Sequence, residues 1–114
     1  MISAAETGIA DSNADVKQHA LALLEKLFDT NPALAPKLLG PAEAGTTDTS
    51  LHVRRRSIGF VNRLVEAGGS LELSMARRLL KTAKVGIVDP DEDVRRRALG
   101  LVEKLITADH AIFS

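Results

Sequence analysis

Cysteine, tryptophan and tyrosine are absent from this 114-residue chain, and phenylalanine occurs only three times. Without cysteine there is neither a disulfide framework nor a thiolate metal site, and the redox compartment leaves no mark. Without Trp and Tyr, the aromatic platforms on which single-stranded nucleic acids stack are missing. The formal net charge is zero, so no overall attraction to polyanions is built in. No apolar run approaches the roughly 20 residues of a membrane span, and the N-terminus lacks the basic and apolar regions of a secretory signal. A soluble, intracellular chain is therefore expected. Signatures of chemistry are missing too. No nucleophile turn of the Gly-x-Ser-x-Gly kind and no glycine-rich phosphate loop occurs, and His19, His52 and His110 have no second ligand at metal spacing. The expectation is a non-enzymatic protein with no cofactor and no metal.

What is present is a unit written three times. DPDEDVRRRALGLVEKLI, from Asp89 to Ile106, matches DTSLHVRRRSIGFVNRLV 41 residues earlier and DSNADVKQHALALLEKLF a further 37 residues back. Asp11, Asp48 and Asp89 open the copies. Val16, Val53 and Val94 follow, then Lys17, Arg54 and Arg95, the small Ala20, Ser57 and Ala98, and finally Leu27, Leu64 and Leu105. Self-similarity at a period near forty marks stacked helix pairs. With Val94 at the origin and steps of about 100° per residue, Val94, Ala98, Leu99, Leu101, Val102, Leu105 and Ile106 share one arc, opposite Arg96, Arg97, Gly100, Glu103 and Lys104. Arg95 falls inside the apolar arc, and a charge there needs a partner.

Between the copies run shorter elements. Asn31-Pro32 ends the first inner helix and opens a short outer helix, kinked at Pro36 and terminated by Gly40-Pro41 after Leu39. Ala42 to Thr47 reads as a loop. The second inner helix closes at Glu66-Ala67-Gly68-Gly69, and Ser70 caps an outer helix from Leu71 to about Val85. Asp89 caps the third inner helix with Pro90 in its first position, and Asp91, Glu92 and Asp93 suit the positive end of its dipole. Met1 to Ala10 and Thr107 to Ser114 are too short for full helices, so residues 1–114 read as one segment of a longer array. Its terminal apolar faces lack neighbours.

The pattern of Asp, four residues, Val-Arg, two residues, Ala or Ser, then Leu or Ile resembles the second helix of a HEAT repeat, with Lys17 replacing Arg in the first copy. The resemblance covers Asp11 to Ile106 and implies an all-α, right-handed α-solenoid of about three HEAT-like helix pairs. It also implies a ladder between neighbouring repeats, carried here by Asp11, Asp48 and Asp89 with Lys17, Arg54 and Arg95. More narrowly, Asn31-Pro32-Ala33-Leu34, Leu38-Leu39, Val53-Arg54-Arg55 and Ser57-Ile58-Gly59-Phe60-Val61 resemble the N-terminal HEAT domain of the symplekin family. That likeness implies a nuclear scaffold of pre-mRNA 3′-end cleavage and polyadenylation that binds protein partners. Without it, a HEAT scaffold of transport, phosphatase or chromosome-associated function, cytoplasmic or nuclear, is equally compatible with the residues.

The basic residues locate a candidate binding face. Arg56 and Arg63 in the second copy align with Arg97 and Lys104 in the third, forming a positive strip across the inner helices, with Arg55 and Arg96 beside it. The strip suits an acidic or phosphorylated protein partner. Solvated charges balanced by Glu25, Glu66 and Glu103 are the plainer account of the same residues. A nucleic-acid-binding module is the competing function, disfavoured by zero net charge and the lack of stacking aromatics.

Overall fold

The three copies become three long helices at matching positions in a computed structural model that describes residues 13–68 and 73–108. They are α1 (Ala14–Thr30), α3 (Leu51–Gly68) and α5 (Glu92–Ala108). Between them lie a 3-10 turn (Pro32–Leu34), α2 (Ala35–Ala44), a second 3-10 turn (Gly45–Thr47) and α4 (Leu73–Gly86). No strand occurs among the described residues, so the all-helical expectation holds. Helix α1 packs on α3 and α3 on α5, while α2 lies on α3 and α4 on α5. Three inner helices thus form one layer and two outer helices a second, consistent with a body 40 × 33 × 19 Å across. None of the described helices is long and apolar enough to cross a membrane.

Helix starts obey a rule that differs from the expectation. In α5 the capping residue is Asp91, whose Oδ2 accepts the Val94 N–H at 3.0 Å. Asp89 lies one step outside and folds back to accept the Asp91 N–H at 2.9 Å, leaving Pro90 ahead of the helix. The same device appears at Asp48, which accepts the Ser50 N–H at 2.8 Å, while Ser50 Oγ receives the Val53 N–H at 3.5 Å. Asn13, in the equivalent position of the first copy, accepts from Asp15 and Val16 at 2.8 and 3.3 Å. The second and third copies therefore each use two short polar acceptors, two residues apart: one makes the turn and the other satisfies a free N–H group of the first helical turn.

The first outer helix also departs from its expected end. Gly40-Pro41 does not terminate it; Pro41 sits inside α2, which continues to Ala44. Proline removes one backbone hydrogen bond from a helix interior. Here Ala35, Leu38, Leu39 and Ala42 form one buried stripe that extends past the proline, so packing outweighs the lost bond. Pro36, in the first turn, forfeits no bond at all.

The core is drawn from the expected apolar arcs. Leu21, Leu24, Val53, Leu64, Leu101 and Leu105 are fully buried, and Phe28 meets Phe60 edge to face with centroids 6.1 Å apart. Where the layers cross, glycine faces a small residue. A Cβ on Gly86 would lie 2.7 Å from Ala98 Cβ, and one on Gly45 would collide with Ser57 Oγ. Both glycines stand three residues before an opening Asp, and both partners nine residues after it. The absent side chains let outer and inner backbones approach closely.

Candidate functional site

The ladder forms between successive copies. Lys17 Nζ binds Asp48 Oδ1. One copy later, Arg54 Nε binds Asp89 Oδ2 at 2.9 Å and its Nη2 reaches Oδ1 at 3.4 Å. Arg54 Nη1 also donates to the carbonyls of Asp48 and Thr49 at 3.1 and 3.0 Å. Asp48 and Asp89 are thus nodes that each shape their own turn and receive the cation of the preceding copy. Burial pushes the Asp48 carboxyl upward, but bonds from Lys17 and the Ser50 N–H, with the charges of Lys17 and Arg54, outweigh it and hold the group below the ordinary carboxylate value.

Arg95 departs from the ladder. Its Nη1 donates to the carbonyls of Asp89 and Pro90 at 2.8 and 3.0 Å, clamping its own copy's turn as Arg54 does. No carboxylate pairs with it among the described residues. The two ladder pairs run forward, from a cation to the Asp of the next copy. Asp11 lies outside the described residues.

The six residues of the basic strip do gather on the inner layer, but most are engaged in bonds between helices. Arg56 grips Glu25 of α1 through Nε at 3.0 Å and Nη2 at 2.7 Å. Arg63 binds Asp29 at 2.7 Å and lies 5.3 Å above the Phe28 ring. Arg55 takes both oxygens of Asp91 at 3.2 and 3.1 Å, and Asp93 lies 3.5 Å away. The Arg55 bond is the main reason the Asp91 carboxyl sits below its ordinary value, and it raises Arg55 in turn. Arg97 pairs with Asp93 at 3.2 Å and its guanidinium occupies the space a Gly59 side chain would need. Lys104 donates to Asn62 Oδ1 at 3.1 Å, while Asn62 donates to the Arg97 carbonyl at 3.1 Å. Arg96 is the most exposed cation, at 74% of its side chain, with one pair to Asp93 in its own helix.

The face is therefore of mixed sign, not a positive stripe. Glu25 balances it as the plainer account anticipates, Asp93 joins it at i,i+3 and i,i+4 spacing within α5, and Asp29 and Asp91 join it across helices, which spacing within single helices does not reveal. The common rule is that position fourteen after the opening Asp, Glu25 or Asn62, accepts from cations of the following copy. On the outer layer Arg78 binds Glu43 at 3.2 Å. Comparisons with protein-family models, curated proteins and solved structures find no match for this chain.

Proposed function

We propose that this chain is a non-catalytic protein-interaction scaffold, a right-handed solenoid segment of about three HEAT-like helix pairs that binds an acidic or phosphorylated protein segment on its inner layer. The observation that supports it is the column-for-column reuse of the same residues between neighbouring copies: Lys17 to Asp48, then Arg54 to Asp89, a ladder of the kind the HEAT resemblance implies. A ladder of this kind holds successive inner helices in one register and so aligns Arg56, Arg63, Arg97 and Lys104 along one face.

An incoming carboxylate or phosphate would replace Glu25, Asp29 and Asp93 as counter-ion to guanidiniums that are already extended and oriented. Exchange of this kind gives modest affinity with shallow salt dependence, because one ion pair is broken for each one formed. Arg96 and Arg97 are the cations whose release disturbs least, since their carboxylate partner belongs to their own helix. The symplekin-like residues point to a partner in nuclear pre-mRNA 3′-end processing.

The test is fluorescence anisotropy with acidic and phosphorylated peptides. Arg56→Gln with Arg97→Gln should weaken capture about tenfold, while Arg77→Gln with Arg78→Gln on α4 should leave it unchanged. Glutamine is used because a glutamate at position 56 would face Glu25 directly and confound binding with stability. Loss of capture in the α4 pair alone would move the site to the outer layer.

A further inference from the structure

Helix α5 displays, uncovered, the face that α1 and α3 each use to hold the following copy. Counted from the opening Asp, positions ten and seventeen are Leu21 and Phe28 in α1 and Ile58 and Val65 in α3, all at most 7% exposed. In α5 the same positions are Leu99 and Ile106, at 57% and 41%. The polar members are vacant in the same way. Arg95, in the position from which Lys17 and Arg54 bind the next Asp, meets only carbonyls among the described partners. Arg96, aligned with the Arg55 that grips Asp91 and Asp93, is largely exposed. Glu103, aligned with the acceptors Glu25 and Asn62, is exposed as well. A shallow groove on this face is lined by Arg95, Arg96, Leu99, Gly100 and Glu103.

The complement to this face is defined by what already fills it twice. The third copy sets a carboxylate four residues after its opening Asp (Asp93 onto Arg55), the second an apolar residue at twelve (Phe60 onto Phe28), and both a cation at fifteen (Arg63 and Lys104 onto Glu25 and Asn62). Helix α1 carries the same set: Asp15, Leu23 and Lys26, of which Asp15 and Lys26 are exposed. Val16 is 40% exposed, whereas its counterparts Val53 and Val94 are at 0% and 1%. Charge favours the same encounter. Residues 1–50 hold three Lys/Arg against seven Asp/Glu, and residues 51–100 hold eleven against six.

We infer that copies of this chain stack head to tail, the exposed face of α5 receiving the α1 end of a second copy in the register that joins the internal copies. The inference rests on the scaffold reading only in taking the repeat register as the docking rule. In the stack Asp15 meets Arg96, Lys26 meets Glu103, and Leu23 covers Ile106. Because the two faces differ, the contact is heterologous and each added copy presents a fresh α5 face, so association continues beyond two.

Sedimentation of the whole chain over a concentration series tests this. Wild type should grow past the dimer as concentration rises and dissociate several-fold as salt is raised to about 0.5 M. Leu99→Glu on α5 and the double variant Asp15→Arg, Lys26→Glu on α1 should each be folded by circular dichroism and monomeric alone. Mixed in equal amounts they should form a dimer that grows no further, since one intact face remains on each. A wild type that stays monomeric at every concentration overturns the stack, as does an α1 variant that associates like wild type, or a mixture that fails to pair. Peptide capture by the same proteins is scored separately. A monomeric chain that still captures acidic peptide retains the scaffold and loses the stack, and a stacking chain that captures none does the reverse.

Discussion

Truncating Arg54 to alanine removes four hydrogen bonds at once, two to the Asp89 carboxylate and two to the carbonyls of Asp48 and Thr49. The Arg54 and Asp89 side chains are 17% and 10% exposed, between a surface pair and a fully buried one. Breaking a buried pair by removing one partner costs about 3–5 kcal/mol, and an exposed pair contributes about 1 kcal/mol or less. Water can reach part of the orphaned Asp89, which also keeps its bond from the Asp91 N–H. The expected loss is therefore about 2–3 kcal/mol, or roughly 8–13 °C in Tm for a domain of this size. Arg95→Ala loses only two carbonyl bonds and should cost about 1 kcal/mol. Arg96→Ala, exposed and paired within its own helix, should cost less than about 0.5 kcal/mol. Urea melts of these three variants set the order. A double-mutant cycle of Arg54→Ala with Asp89→Asn, which keeps an acceptor for the Asp91 N–H, should give a coupling of about 1–2 kcal/mol. Equal losses at Arg54 and Arg96, or no coupling to Asp89, would refute the reasoning.

Two further outcomes follow from the packing and the acids. Gly86→Ala places a methyl against Ala98 and Ile58 and should cost about 1–3 kcal/mol by thermal melt. Ser57→Ala should be neutral or stabilising, because the buried Ser57 hydroxyl has no hydrogen-bond partner, and it should partly rescue Gly45→Ala by clearing Oγ from the same spot. Asp48 and Asp91 have folded-state pKa values below their ordinary ones, so between the two values the unfolded chain binds more protons than the folded chain. Their contribution is complete above the ordinary carboxylate value and declines as pH falls through that window. Asp48→Asn should flatten the acid limb of a plot of Tm against pH, and an unchanged limb would count against the ladder.

The inner helices were legible because three copies in register carry both the apolar arc and the cation inside it. The ladder was legible as a set of columns, and its forward direction was not, because the alignment does not say which Asp each cation reaches. Arg95 looks identical to Arg54 in sequence, and the two differ only in what the following copy supplies. The cap of α5 stands two residues beyond the expected Asp89, itself a good cap locally. The second acceptors, Asn13, Ser50 and Asp91, differ in identity and hide the column they share. The strip was read one helix at a time, which places Arg56, Arg63 and Lys104 in solvent. Glu25, Asp29 and Asn62 become their neighbours only after the helices pack. Gly40-Pro41 misled for the converse reason, since a local breaker was overridden by a buried stripe that continues past it.

The facing of Gly45 on Ser57 and of Gly86 on Ala98 bears on how such a chain lengthens. These contacts sit at fixed distances from the opening Asp, whereas the spacing between copies changes from 37 to 41 residues. The outer helix is 10 residues long in the shorter interval and 14 in the longer, a difference of about one helical turn. A cassette from the glycine to the end of the inner helix therefore carries its close glycine contact with it, and the outer helix before it serves as a spacer of adjustable length. Duplicating or inserting such a cassette leaves every older junction as it was, so gene segments of unequal size can be added in succession without any earlier copy having to change to receive them.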